Sequence, residues 1–445
     1  MGKLFYGRAI SAHASAFLKK GGFPILNILM IDDMILPEKF SPNSPGKEVF
    51  FRLAKENYVR RFFLAKEFLR FGANVLLVRA EFCQTEEELP FDYRENSGIS
   101  QVFVPVQKRK NSAPVFFFEN ADFSKALSDN SKSLSGLFAP DAVICSGVLP
   151  FSANAGAKIA ESAGAVLITE LCSAPAQLLR RTSLASALSP VLIMLKRALG
   201  NAFRKSDGVI GLFPGCSSLF SFVSNLFPME YSAFLPEYIP SEEAKRKKSV
   251  LKAFSAGNTF VLACPDPLES GFSISELMEV SSGFGNKFAL VFTGEGSAKG
   301  AFKKAVSEKG YTNIFFMEEY LSAEEEAFVL SAADGIFLSE NSIEKGLASD
   351  SKRFFSAFGA GKPIVACAEN SAEIFRRSGG TIITKPKNKE SIRLGIKTLM
   401  ELSENDRNIL GTSNENFAKK NSAEKFAADY YSIIENLSGQ KEIKK

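Results

Sequence analysis

The stretch S-D-S-K-R-F-F-S-A-F-G-A-G-K-P-I-V-A, residues 349–366, reads as a polar loop, a short helix and a buried strand in unbroken succession. Ser349 or Asp350 is placed to cap the helix, and Phe354, Phe355 and Phe358 supply its apolar face. Gly361 ends it, and Pro363 opens the strand Ile364-Val365-Ala366. On this reading Lys352 and Arg353 fall in the first turn. Unpaired backbone N–H groups and two cations would then point the same way, a ready site for a diphosphate such as that of a nucleotide-sugar. The same residues also fit a surface αβ unit whose charges are simply solvated.

Working outward, the chain has 445 residues, too long for one core and suited to two α/β domains. Its hydrophobic content of 45% and charged content of 23% are those of a soluble globular protein. No apolar run reaches the roughly 18 residues that span a bilayer. The apolar part of the first twenty residues is interrupted by Arg8, Ser11 and His13, so we expect a cytoplasmic chain with a short amphipathic arm. Six cysteines lie far apart, which offers neither a zinc knuckle nor a redox pair, and no metal is expected. His13 is the single histidine, which nearly excludes Ser-His-Asp and Cys-His chemistry. The net charge of +5 is mild and spread out, an argument against nucleic acid as the partner.

Along the chain, strand, loop, helix and strand alternate twice over. Strands are expected at Ile25–Asp32, Asn74–Arg79, Val102–Pro105, Val115–Phe118, Pro140–Cys145, Ala165–Ile168 and Ser206–Gly211. After a charged linker, Glu242–Lys248, a second set follows at Phe260–Ala263, Phe288–Phe292, Asn313–Phe316, Gly335–Leu338 and Pro363–Ala366. Helices are expected at Ala298–Lys309 and Ala323–Ala332, and a last one over Asn421–Leu437 carries Phe426, Tyr430, Ile433 and Leu437 at helical spacing. Such alternation means parallel sheets with helices on both faces, here two doubly wound Rossmann-like domains. The expected division is 1–245, 246–415, and a closing segment 416–445 that crosses between the domains. Ligands of doubly wound sheets bind beyond the carboxyl ends of the strands.

The order of several segments resembles the retaining GT-B glycosyltransferases of family 4, in particular bacterial-type members that transfer amino sugars to lipid-linked acceptors. The segments are L-A-K-E-F-L-R-F-G-A-N-V-L-L-V at 64–78, P-D-A-V-I-C-S-G at 140–147, F-R-K-S-D-G-V-I-G-L at 203–212 and F-L-P-E-Y-I-P at 234–240. In the second half they are A-L-V-F-T-G-E-G at 289–296, A-A-D-G-I-F-L at 332–338 and G-A-G-K-P-I-V-A at 359–366. The resemblance implies a nucleotide-sugar on the C-terminal domain, a glycan or lipid-linked acceptor on the N-terminal one, and no metal or other cofactor. The turn Gly294-Glu295-Gly296 would face the nucleotide, or it is a plain strand-to-helix loop.

Two departures bear on mechanism. The pair of glutamates that the resemblance places before the G-K-P run falls on Ala348 and Ser356, so both carboxylates are missing, although Ser356 can still bond one ribose hydroxyl. Pro265 and Ser270 stand where the resemblance expects phosphate-binding cations, and Asp266 and Glu269 nearby would repel a diphosphate. Leaving-group stabilisation is therefore assigned to Lys352, Arg353 and the N–H groups of Ser349, Asp350 and Ser351. Glu170, at the end of its strand, is a candidate to orient an acceptor hydroxyl, or else a capping or surface carboxylate. Leucines interleaved with Arg and Lys over Ala176–Lys205 would suit contact with an anionic membrane at the inner face of the cell membrane, or would be core. The function expected is sugar transfer with retention of configuration; the alternative is a GT-B-shaped binding or scaffold protein that has lost donor chemistry.

Overall fold

A computed structural model describes residues 25–32, 60–83, 92–96, 99–107, 115–146, 150–171, 197, 200–212, 216, 223–229, 238–255, 259–269, 271–318, 321–340, 348–369 and 371–443. The chain forms two compact units. The first takes its residues from 1–211, 217–229 and 427–445, and the second from 212–216 and 230–426.

The sheet of the first unit has the order β3-β4-β2-β1-β5-β6-β7-β8. Its strands are β1 Asn27–Asp32, β2 Asn74–Cys83, β3 Asp92–Asn96, β4 Ile99–Gln107, β5 Ala142–Ser146, β6 Val166–Leu171, β7 Gly208–Gly211 and β8 Leu226–Pro228. Every pairing is parallel except β3 with β4. The sheet of the second unit, wholly parallel, has the order β11-β10-β9-β12-β13-β14. These strands are β9 Phe260–Cys264, β10 Phe288–Phe292, β11 Ile314–Phe316, β12 Gly335–Ser339, β13 Ile364–Cys367 and β14 Thr381–Thr384. The central strands are buried on both faces, which is why they read as unbroken apolar runs.

One device recurs at the amino ends of three strands. Asp141, Asp207 and Asp334 precede β5, β7 and β12 in the sequences P-D-A-V, S-D-G-V and A-D-G-I. Each carboxylate accepts a backbone N–H from the neighbouring strand region, that of Asn27 at 2.7 Å, Leu167 at 2.8 Å and Val261 at 2.8 Å. Each aspartate's own N–H donates to the carbonyl of the same residue. This two-point clamp fixes register at the edge opposite the carboxyl ends, so these three acids are structural.

Two sequence expectations are corrected. Val115–Phe118 is not a strand; it opens the helix Val115–Asp129. Phe123 and Leu127 lie four residues apart on its buried face, and that packing outweighs the β-propensity of the aromatic run. The charged segment Glu242–Lys248 is not a linker but the start of the helix Glu242–Ala253, capped by Ser241 and belonging to the second unit. Its charges pair along and off the helix, Lys247 reaching Glu325 at 2.6 Å. The closing helix, expected over Asn421–Leu437, is present as Ala423–Ile443, preceded by the separate helix Glu404–Lys420, and it buries Phe426, Tyr430 and Ile434 in place of Ile433. Residues up to 426 group with the second unit and 427–445 with the first.

The helix Ala323–Leu330 begins with a capping box. Ser322 Oγ accepts the Glu325 N–H at 3.4 Å, and Glu325 Oε1 accepts the Ser322 N–H at 3.1 Å as well as the Lys247 ammonium. Ser322→Ala is expected to cost about 1 kcal/mol in urea unfolding.

Candidate functional site

The carboxyl ends of β9 and β12 in the second unit are tied to the helix Ala348–Gly359 by one buried ion pair. Asp266 Oδ2 accepts the Ser339 N–H at 2.7 Å and the Ser339 hydroxyl at 2.6 Å, while Oδ1 holds the Arg353 guanidinium. Arg353 also donates to the Ser339 carbonyl at 2.9 Å and lies over the rings of Phe272 and Phe354. Asp266 is fully buried and Arg353 is 8% exposed. The acid expected to repel a diphosphate instead neutralises one of the two cations expected to bind it. Next to this pair, Glu340 accepts the N–H groups of Glu369 at 3.0 Å and Ser371 at 2.9 Å, filling the amino end of the helix Ala372–Ser378 with the protein's own carboxylate.

The helix carrying Arg353 starts earlier than the sequence suggests. It runs over Ala348–Gly359, so Ser349, Asp350 and Ser351 lie within its first turn and not before it, and Lys352 and Arg353 lie in its second turn. The side chains of Ser349, Asp350 and Ser351 fall outside the described residues. Lys352 is half-exposed.

Gly294 and Gly296 are required by a close approach within the protein. A Cβ on Gly294 would sit 2.0 Å from the Asp266 carbonyl oxygen, and one on Gly296 2.4 Å from that of Leu268. The Leu268 N–H donates to the Glu295 carbonyl at 3.0 Å, zipping the loop after β10 to the loop after β9. Glu295 itself pairs with Lys299 at 2.5 Å.

Sequence reasoning missed Glu326. It sits in the helix Ala323–Leu330, which packs on Ala348–Gly359, and it meets Lys352 and Ser356 there. Burial pushes its carboxyl up to about 7, against the pull of Lys352, the Ser356 hydroxyl and Arg353. Ser356 is fully buried, and its Oγ makes no hydrogen bond of full geometry. In the sequence E-E-E at 324–326 nothing singles out the third glutamate. Only the assignment of Glu325 to the cap fixes which one turns toward the next helix.

In the first unit Glu170 is a fully buried hub at the end of β6, not an open carboxylate. Arg60 grips it with two bonds of 2.6 and 2.9 Å, Arg61 adds one at 2.8 Å, and the Tyr430 hydroxyl donates at 3.1 Å. Burial raises its pKa, but the two guanidiniums more than offset that and bring it down to about 2. Asp32, at the end of β1, is raised by burial, with Arg61, Arg79 and Arg60 opposing. Asp33, most of Ala176–Lys205 and the segment 234–237 lie outside the described residues. Among the described residues no helix is long and apolar enough to cross a membrane, and no three His, Cys, Asp or Glu side chains could hold a metal ion.

No protein-family model matches the sequence, and neither does any curated protein. Solved structures do match. Sucrose-phosphate synthase from Thermosynechococcus elongatus superposes with a TM-score of 0.66 at 14% identity, covering 93% of this chain and 100% of that one. HepE from Anabaena, solved with UDP and glucose, gives 0.59 at 13% identity over 93% and 99%. The α,α-trehalose 6-phosphate synthase from Burkholderia multivorans gives 0.62 at 10% identity over 95% and 98%. Two doubly wound parallel-sheet units in this order, matched over nearly the whole chain by such enzymes, are the GT-B fold. What the chain shares with these enzymes at 10–14% identity is that fold.

Proposed function

We propose that the protein is a glycosyltransferase that moves a sugar from a nucleotide-sugar donor, held by the second unit, to a glycan or lipid-linked acceptor, with retention of configuration. The observation that carries this reading is the match of the complete two-unit chain to enzymes that include one solved with UDP and glucose. Lys352 would face the leaving diphosphate together with the first-turn N–H groups of residues 348–351, while Arg353 serves the scaffold. The departing phosphate would take the proton of the acceptor hydroxyl, a route that calls on no histidine. The cytoplasm, at the inner face of the cell membrane, is the place we propose for this reaction.

A non-catalytic GT-B partner in glycan assembly is the second reading. It is favoured by the neutralisation of Arg353 by Asp266, which leaves a single cation of the expected pair. Calorimetric titration with UDP, GDP and their sugar conjugates separates the two. Micromolar binding of one nucleotide, weakened about tenfold (about 1.4 kcal/mol) by Lys352→Ala, is the expected result. Absence of binding to every nucleotide at millimolar concentration would give the second reading the field.

A further inference from the structure

We infer that Tyr238, Ile239, Lys248, Lys252 and Lys362 form a docking surface on the second unit for an anionic phospholipid bilayer. The inference rests on the membrane placement proposed above and not on the donor site. The helices Glu242–Ala253, Ala323–Leu330 and Ala348–Gly359 pack side by side on one face of the second unit's sheet. The first precedes β9 in the chain and the third precedes β13. Lys252, near the end of the first helix, and Lys362, just before Pro363 and β13, therefore come to the edge where the strands begin. Lys248 stands one turn before Lys252 on the same flank, its ammonium 4.2 Å from the centre of the Phe328 ring. Tyr238 packs on that ring too, at 6.3 Å between centroids, and its neighbour in the chain, Ile239, is 89% exposed.

Charge and polarity select the occupant. Lys247 pairs with both Glu243 and Glu325, whereas among the described residues Lys248, Lys252 and Lys362 have no carboxylate within ion-pair distance. Lys252 is exposed, and the other two are half-buried. Burial lowers the pKa of Lys248, and the charges of Lys362 and Lys252 lower it further, so the three ammonium groups act on one another. Lys362 is also lowered by burial; Asp334 and Glu404 pull the other way, and Arg407 adds a fourth cation. Asp334 is already committed to the Val261 N–H. Like charges gathered without acids repel one another, and a layer of negative charge relieves that repulsion. A soluble polyanion would supply such charge as well as a bilayer would. The feature that favours the bilayer is Ile239 beside the amphipathic ring of Tyr238. An apolar side chain there enters the headgroup boundary while the lysine stems lie along the surface and their ammonium groups stay among the phosphates.

The test is cosedimentation of the intact protein with vesicles of phosphatidylcholine, with and without phosphatidylglycerol. The protein should bind only the anionic vesicles, and less tightly as salt is raised. Lys248→Gln/Lys252→Gln/Lys362→Gln should lower the affinity about 100-fold. Arginine at the same three positions should keep it, so misfolding of the glutamine variant cannot imitate lost charge. Lys125→Gln/Lys132→Gln/Lys158→Gln removes the same charge from exposed positions of the first unit and should change the affinity by less than about threefold. Ile239→Asn should weaken vesicle binding about tenfold and leave binding to heparin, a soluble polyanion, unaltered. If the parent does not bind anionic vesicles, this surface and the membrane placement fall together, and the nucleotide titration still judges the donor reading. Binding that survives in the glutamine variant, or falls equally in the first-unit variant, overturns this surface while the membrane placement stands. If Ile239→Asn binds vesicles as tightly as the parent, the lysines serve a soluble polyanion and bilayer docking is overturned.

Discussion

Arg353→Met should destabilise the second unit by about 3–5 kcal/mol, the loss that follows when one partner is removed from a buried pair. The substitution preserves much of the side chain's apolar volume against Phe272 and Phe354, so the expected loss is mainly electrostatic. It leaves Asp266 fully buried without its guanidinium partner, and it removes the Arg353 bond to the Ser339 carbonyl. Removing both charges, in Asp266→Asn/Arg353→Met, should recover part of the loss, because a neutral pair costs less to bury than a lone carboxylate. Lys352→Ala, one residue away and half-exposed, should stay within about 0.5 kcal/mol of the parent. Urea unfolding of the four proteins gives the answer. A loss below about 1 kcal/mol for Arg353→Met would mean that the guanidinium is free to meet a ligand.

This contrast marks where the sequence stopped being legible. The sheets could be read because doubly buried strands leave runs such as I-L-M-I and F-A-L-V-F, and because aspartates repeat at the strand starts. The helix with Lys352 and Arg353 was placed, but its start was set too late, since A-S-D-S holds three residues that favour caps as much as first turns. That slip of two or three residues moved both cations out of the first turn. Arg353 looked like a ligand residue because its partner, Asp266, lies 87 positions away in sequence, and an ion pair over that separation leaves no local pattern. Gly294 and Gly296 were recognised as a close-approach turn, and the partner that the structure supplies is the chain's own backbone at Asp266 and Leu268. The partners of Glu170, Arg60 and Arg61, are likewise distant in sequence, 110 and 109 positions away. Position at a strand's carboxyl end identifies candidates; whether a charge is free there depends on contacts that only the fold assembles.

Glu170→Gln should cost the first unit about 3–5 kcal/mol at neutral pH, since it leaves two buried guanidiniums facing an amide. The same group sets an acid limb. Its carboxyl is held at about 2 in the fold, below an ordinary value of 4.5, so the folded state binds the proton more weakly than the unfolded chain does. The stabilisation is therefore complete above about pH 4.5 and drains away as pH falls toward 2, by an amount on the order of 3 kcal/mol. The glutamine variant has nothing to protonate at this site, so its stability should fall less steeply over that window, and the two proteins should converge as the pH approaches 2. Tyr430→Phe removes only the 3.1 Å hydroxyl bond and leaves both arginines in place, so it should lower stability by about 1–2 kcal/mol and keep most of the acid limb. Thermal unfolding of the three proteins between pH 7 and pH 2.5 distinguishes these cases. Parallel curves for the parent and Glu170→Gln would show that another carboxylate carries the acid transition. A mild effect of Glu170→Gln at pH 7 would mean that the arginines find other partners and that Glu170 is dispensable to the first unit.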